Sequence, residues 1–274
     1  MLTIENALLR VDIDENTAQL AHVIDKVGNF DYIWNGEQSL KLNMIQFPTI
    51  ENIENYFPGK GDKTADQRIV ETSEWTVVDK GDARLSLTLT QNESTLKFFP
   101  YEFSLMVTYS LTGNQLELEF LVKNPNTQSL PFGLGFMSFF NLPFVPDRED
   151  LFFDDYQLKF SPEGQELSLI EVNDLTTNKI TSGDFPLVLE KLKAEPMIIS
   201  NLGLTEVSLA SPQSEHKIQL SLTEFPYLAI TTLSNLEAPC LGFKLMNEIP
   251  DKQDKKQLVA PGEKVKLTTS MTFK

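Results

Sequence analysis

The sequence predicts an all-β fold, a large antiparallel β-sandwich. Apolar and polar residues alternate with a period of two in run after run, turn residues separate the runs, and helical periodicity longer than three turns is absent. The strongest signal is a hairpin. Phe103, Leu105, Val107, Tyr109 and Leu111 alternate with smaller or polar residues, a Thr112-Gly113-Asn114 turn follows, and Leu116, Leu118, Phe120 and Val122 continue on the return. Weaker alternation marks 85–90, 217–222, 227–233 and 264–273. The segments 8–13 and 19–24 flank an Asp14-Glu15-Asn16 turn and read as a further strand pair. Residues 188–193 carry enough helical pattern for one or two turns.

No internal repeat, low-complexity tract or Pro/Ser linker divides the chain, so 1–274 is expected to form one domain. Hydrophobic content of 41% and charged content of 23% are those of a globular protein with a substantial core. Asp+Glu 39 against Lys+Arg 23 gives a formal charge of −16. Nucleic acid and anionic membrane both need a cationic surface, so neither is expected as a partner. Cys240 is the sole cysteine, which excludes an intramolecular disulfide and fits a reducing compartment. No basic segment followed by an apolar one opens the chain, so a cytoplasmic location is expected.

The most apolar and aromatic stretch, Leu130–Phe144, lies at the midpoint. It is too short and too broken by Gly and Pro for a membrane span. It reads as a deeply buried strand pair or as a pocket floor where backbone approaches a ligand. The polar stretch from Ile50 to Glu74, with Pro58, Gly59 and Gly61, reads as a loop at the rim of such a pocket or as a surface excursion.

Groups able to do chemistry are few. His22 lies in a strand pattern and His216 at a turn, neither with a second ligand at metal spacing, and both read as structural or surface residues. The acidic cluster around Asp147, Glu149, Asp150, Asp154 and Asp155 lacks the spacing of an EF-hand loop and reads as a solvated loop. Gly133 and Gly135 are followed by no helix pattern and make no phosphate cradle. No cofactor is expected, and no Ser/His/Asp nucleophile can be assembled.

Motifs in order along nearly the whole chain carry a resemblance. They are Leu2-Thr-Ile-Glu-Asn-Ala, Asp31-Tyr-Ile-Trp-Asn-Gly36, Ser73-Glu-Trp75, Phe98-Phe-Pro-Tyr-Glu-Phe103, Val122-Lys-Asn-Pro125, Gly135–Asn141, Phe225-Pro-Tyr227, Ala238-Pro239, Ile249-Pro-Asp251 and Leu258-Val-Ala-Pro-Gly-Glu263. Together the sequence resembles the galactose mutarotase (aldose 1-epimerase) family, in its bacterial galactose-mutarotase-related branch. The resemblance implies a supersandwich with a carbohydrate cleft on one concave sheet and interconversion of sugar anomers. That reaction needs a base at the anomeric hydroxyl and an acid at the ring oxygen, on opposite sides of one ring.

The matched positions depart from the family at its chemistry. A histidine of the family falls on Met137, which moves no proton, while the asparagine of that motif survives as Asn141. A second histidine falls on Gln67, an arginine on Asn52, a binding aspartate on Glu195 and the glutamate base on Lys244. A carboxyl group of pKa about 4.3 is a base at neutral pH, whereas an ammonium of pKa about 10.4 is not. For Lys244 to serve, its pKa would have to fall by about three, roughly 4 kcal/mol of differential interaction. Apolar neighbours Phe243, Leu245 and Met246 supply some of the burial this would need.

Three functions remain open from the sequence. The first is a relative without the family's usual chemistry that binds a monosaccharide or a sugar derivative, including an anionic one. Asn52, Gln67, Asn141 and Glu195 would hold hydroxyls and Lys244 an anionic group. The second is an isomerase with replaced groups, Glu195 acting as base. The third is an interaction module whose cleft is filled, Lys244 pairing with Glu195.

Overall fold

The computed structural model describes residues 1–36, 44–48, 69, 73–97, 99–145, 150–171, 177–194, 196–200, 203–233, 240–248 and 257–274. The expected rim loop 50–74 lies almost entirely outside them, as do Asn52, Gln67, Glu195 and residues 146–149 of the acidic cluster.

The chain opens with β1 (Leu2–Glu5), β2 (Leu9–Ile13), β3 (Leu20–Asp25) and β4 (Phe30–Asp31), then β5 (Ile45–Gln46). The hairpins β6 (Thr76–Lys80) with β7 (Arg84–Thr90), and β8 (Ser104–Thr112) with β9 (Gln115–Lys123), follow. Next come β10 (Leu130–Phe132), β11 (Gly135–Asn141), β12 (Gln157–Ser161), β13 (Glu166–Glu171), β14 (Thr177–Thr181) and β15 (Asp184–Pro186). A single-turn-scale helix α1 (Leu189–Ala194) precedes β16 (Met197–Ser200), β17 (Glu206–Ala210), β18 (Lys217–Ser221) and β19 (Tyr227–Thr231). β20 (Cys240–Met246), β21 (Gln257–Val259) and β22 (Lys264–Phe273) complete the chain.

Two large antiparallel sheets result. One has nine strands in the order β15-β12-β17-β18-β22-β9-β8-β7-β6, the other seven in the order β14-β13-β16-β19-β20-β11-β5. β1–β4 form a four-stranded sheet and β10 pairs β21. The sandwich expected from the alternating pattern is therefore present. The expected β8–β9 hairpin is present, Leu111 opposite Leu116 and Val107 opposite Phe120, and Thr112, expected in the turn, pairs with Gln115 as the last residue of β8. Gly113, at φ 58°, supplies the left-handed residue this two-residue loop needs.

The layers meet because period two sends alternate side chains to opposite faces. Leu105, Val107, Tyr109, Leu116, Leu118, Phe120 and Val122 point inward and are fully buried. Each such side chain contributes about 1.5–3 kcal/mol on leaving water. Facing them from the seven-stranded sheet are Phe136, Phe140, Phe243 and Leu245, with Phe120 and Phe136 rings 6.0 Å apart. Buried tyrosines then tie the N-terminal sheet on: Tyr109 donates its hydroxyl to the Ala18 carbonyl at 2.7 Å and Tyr32 to that of Lys274 at 3.0 Å. Burial raises both phenol pKa values, so each stays a neutral donor. The Asp154 carboxylate caps α1 by accepting the Leu189 amide at 2.8 Å.

Candidate functional site

The site is built on β11 and its neighbours in the seven-stranded sheet. Along β11, Phe136, Ser138 and Phe140 face the interior with Leu220 and Met271 of the opposing sheet. Gly135, Met137, Phe139 and Asn141 must then face the other way. The register extends that face across the sheet. Met137 stands opposite Lys244, Lys244 opposite Ala229, Ala229 opposite Ile198 and Ile198 opposite Ile170. The adjoining row runs Gln46, Gly135, Met246, Tyr227 and Ser200.

Strand alternation also corrects the expected surroundings of Lys244. Phe243 and Leu245 flank it in sequence but point into the sandwich, where Phe243 packs on Phe140 with ring centroids 5.7 Å apart. Its real neighbours are cross-strand: Met137 and Ala229 beside it, and Gly135 diagonally. A Cβ at Gly135 would stand 3.2 Å from Lys244 Cε and 3.2 Å from Gln46 Oε1. Glycine there makes the notch in which both side chains lie. Lys244, Met137 and Ala229 are each 1% exposed.

Further along β11 the face becomes aromatic. Phe139 packs on Trp34 at 6.4 Å, with Met44, Cys240 and Leu233 around them. Cys240 is buried, and desolvation pushes its thiol up to about 12, far from a thiolate. Gly242 admits the Phe139 ring, since a Cβ there would come within 2.6 Å of it.

Asn141 ends the strand. Its side-chain NH2 donates to the Asp31 carbonyl at 2.9 Å and to the Ile33 carbonyl at 3.0 Å. Both of its donors therefore hold the chain entering from β4. Asp31 is a hub in turn. Its carboxylate accepts the Val23 and Ile33 amides at 3.0 Å each and lies 2.6 Å from His22 Nδ1. That hydrogen bond raises the His22 pKa, partly opposed by burial.

Of the residues expected at the site, Met137 and Lys244 are brought side by side, and Asn141 lies on the same face two positions along from Phe139. Asn52, Gln67 and Glu195 fall outside the described residues. Gln46 was not singled out in the sequence; its two-residue strand leaves no alternation to read. Among the described residues no group of three or more His, Cys, Asp or Glu side chains could hold a metal ion. An open depression of about 570 Å³ between β1 and the β6–β7 turn, lined in part by Glu5, Asn6, Lys26 and Asp82, is remote from this face. Lys26 there is already engaged by Glu5 and the Asn6 carbonyl, each at 2.9 Å, so the depression reads as a seam between sheets.

A profile of the aldose 1-epimerase family matches residues 33–272. The chain belongs to the aldose 1-epimerase family. As a member of it, the protein is 23% identical over 256 residues to Protein LacX, chromosomal, of Lactococcus lactis subsp. lactis, spanning 85% of this chain and 83% of that one. Two solved structures share the whole architecture of this aldose 1-epimerase family chain. A galactose mutarotase-like protein from Lactobacillus casei superposes with a TM-score of 0.83 at 28% identity, covering 100% of both chains. A galactose mutarotase related enzyme from Lactobacillus acidophilus gives 0.84 at 20% identity, covering 99% of this chain and 96% of that chain. No helix among the described residues is long and apolar enough to cross a membrane.

Proposed function

We propose that this aldose 1-epimerase family chain is a carbohydrate-binding protein that lacks the family's usual proton-transfer chemistry. The observation that carries the reading is the row in which Met137, Lys244 and Ala229 stand in register on three adjacent strands. Opening and reclosing a pyranose needs an acid and a base on opposite sides of the ring. A thioether and a methyl group move no proton, and a lysine of ordinary pKa is no base at neutral pH.

The ligand this reading favours is a monosaccharide or a sugar derivative, an anionic one included, with Lys244 contributing a cation and Asn141 its amide oxygen. Asn52, Gln67 and Glu195 remain proposed contacts to hydroxyls. Titration calorimetry with monosaccharides and sugar phosphates tests the binding. Polarimetry on freshly dissolved α-glucose and α-galactose tests the chemistry, and mutarotation is expected at the buffer rate. Acceleration that vanishes in Glu195→Gln would establish an isomerase with replaced groups instead. The burial of the Met137–Lys244–Ala229 row favours a second reading, an interaction module with a filled cleft, which heat-silent titrations throughout would select.

A further inference from the structure

Gln46 has no role in the resemblance, yet it is the side chain on the candidate face with an unmet hydrogen-bonding group. It is 3% exposed, and its Oε1 has no hydrogen-bond partner among the described residues. Its Nε2 donates to the Met44 thioether at 3.1 Å, a weak acceptor. Exchanging the two ends of the amide turns the unmet acceptor into an unmet donor without removing it. Buried polar groups are nearly always paired, so one left over in a packed site calls for an explanation.

The surroundings point to a ligand. Gln46 is the Cα partner of Gly135, and a Cβ at Gly135 would meet both Gln46 Oε1 and Lys244 Cε at 3.2 Å. The unmet amide oxygen therefore lies over the same strand position as the arm of Lys244, on the side of the sheet away from the sandwich interior. Where a strand carries glycine, backbone and ligand can approach closely.

We infer that Gln46 is a ligand-reading residue, its amide oxygen accepting a hydrogen bond from a hydroxyl of a sugar seated over Gly135 beside Lys244. The inference rests on the carbohydrate reading above and names the side chain through which that face reads a hydroxyl. A polyhydroxylated ring supplies the hydroxyl donor the amide lacks, and an apolar ligand would not.

The test pairs affinity with stability. Gln46→Met keeps the length of the side chain and removes its polar atoms; Gln46→Leu repeats the test if methionine packs poorly. Monosaccharides and sugar phosphates are titrated calorimetrically against the wild-type chain and both variants, and thermal unfolding is recorded for each. The expected result is binding at least tenfold weaker together with a Tm raised by about 2–4 °C, because an unmet buried group is removed. Unchanged affinity with a raised Tm overturns the inference, the amide then being an unmet group that no sugar uses. A lowered Tm in both variants overturns it too, since the amide would then support the fold. A wild-type chain that binds none of the sugars overturns the carbohydrate reading itself, a result distinct from wild type and variants binding equally.

Discussion

Met137 and Lys244 are Cα partners across the β11–β20 ladder, a thioether and an amine side by side on a buried sheet face. Their adjacency brings together two residues that the sequence holds far apart.

Replacing Lys244 with methionine keeps an unbranched side chain and deletes the amine. In Lys244→Met, calorimetric affinity for a sugar phosphate is expected to fall at least tenfold, about 1.4 kcal/mol, with a smaller loss for the neutral sugar. Equal losses for the two ligands would mean that Lys244 does not read charge.

Gly242→Ala should destabilise the chain by about 1–3 kcal/mol in urea unfolding, with the denaturant dependence unchanged. The new Cβ would meet Phe139 ring atoms at 2.6 and 2.8 Å and Thr231 Cγ2 at 2.9 Å. Phe139 is fully buried beside Trp34, so its ring has little room to retreat. A loss below a few tenths would show that the ring moves freely.

Asn141→Leu should cost about 1–3 kcal/mol, measured the same way. It removes the two donors that satisfy the Asp31 and Ile33 carbonyls and leaves both acceptors partly buried. Asn141→Asp is expected to be worse, because a carboxylate cannot donate to either carbonyl and repels both. If Asn141→Asp is as stable as wild type, the staple between β11 and the N-terminal sheet is not what the amide provides.

The His22–Asp31 pair gives a pH dependence of definite sign. Hydrogen bonding to Asp31 raises the His22 pKa above its ordinary value of about 6.5. Protons are then held more tightly in the folded chain. The stabilisation is fully present below about pH 6.5 and is lost as pH rises through the folded value. The stability difference between wild type and His22→Gln should therefore shrink from pH 5.5 to pH 8.5, and the His22 ring resonances should titrate above 6.5 in NMR. A difference that is flat with pH would sink this account.

Legibility in the sequence tracked how many faces of a strand are wet. β8 and β9 were readable within a residue at the turn because their outward positions, such as Ser104, Ser110, Glu117 and Glu119, are polar. β11 and β20 are apolar on both faces, so alternation says nothing of which side chains share a side. For that reason Phe243 and Leu245 were read as surroundings of Lys244 although they point away from it. β5 is two residues long and carries no pattern at all.

The sequence by itself determined the all-β class, the β8–β9 hairpin and the identities of the residues at 137 and 244. These follow from local alternation, turn residues and residue identity, which the chain carries along its length. Only the tertiary structure decided which side chains meet. Cross-strand register joins Met137 to Lys244 and Gln46 to Gly135, and commits both Asn141 donors to backbone. Those partners are distant in sequence, and a slip of one residue would have sent each of them to the opposite face.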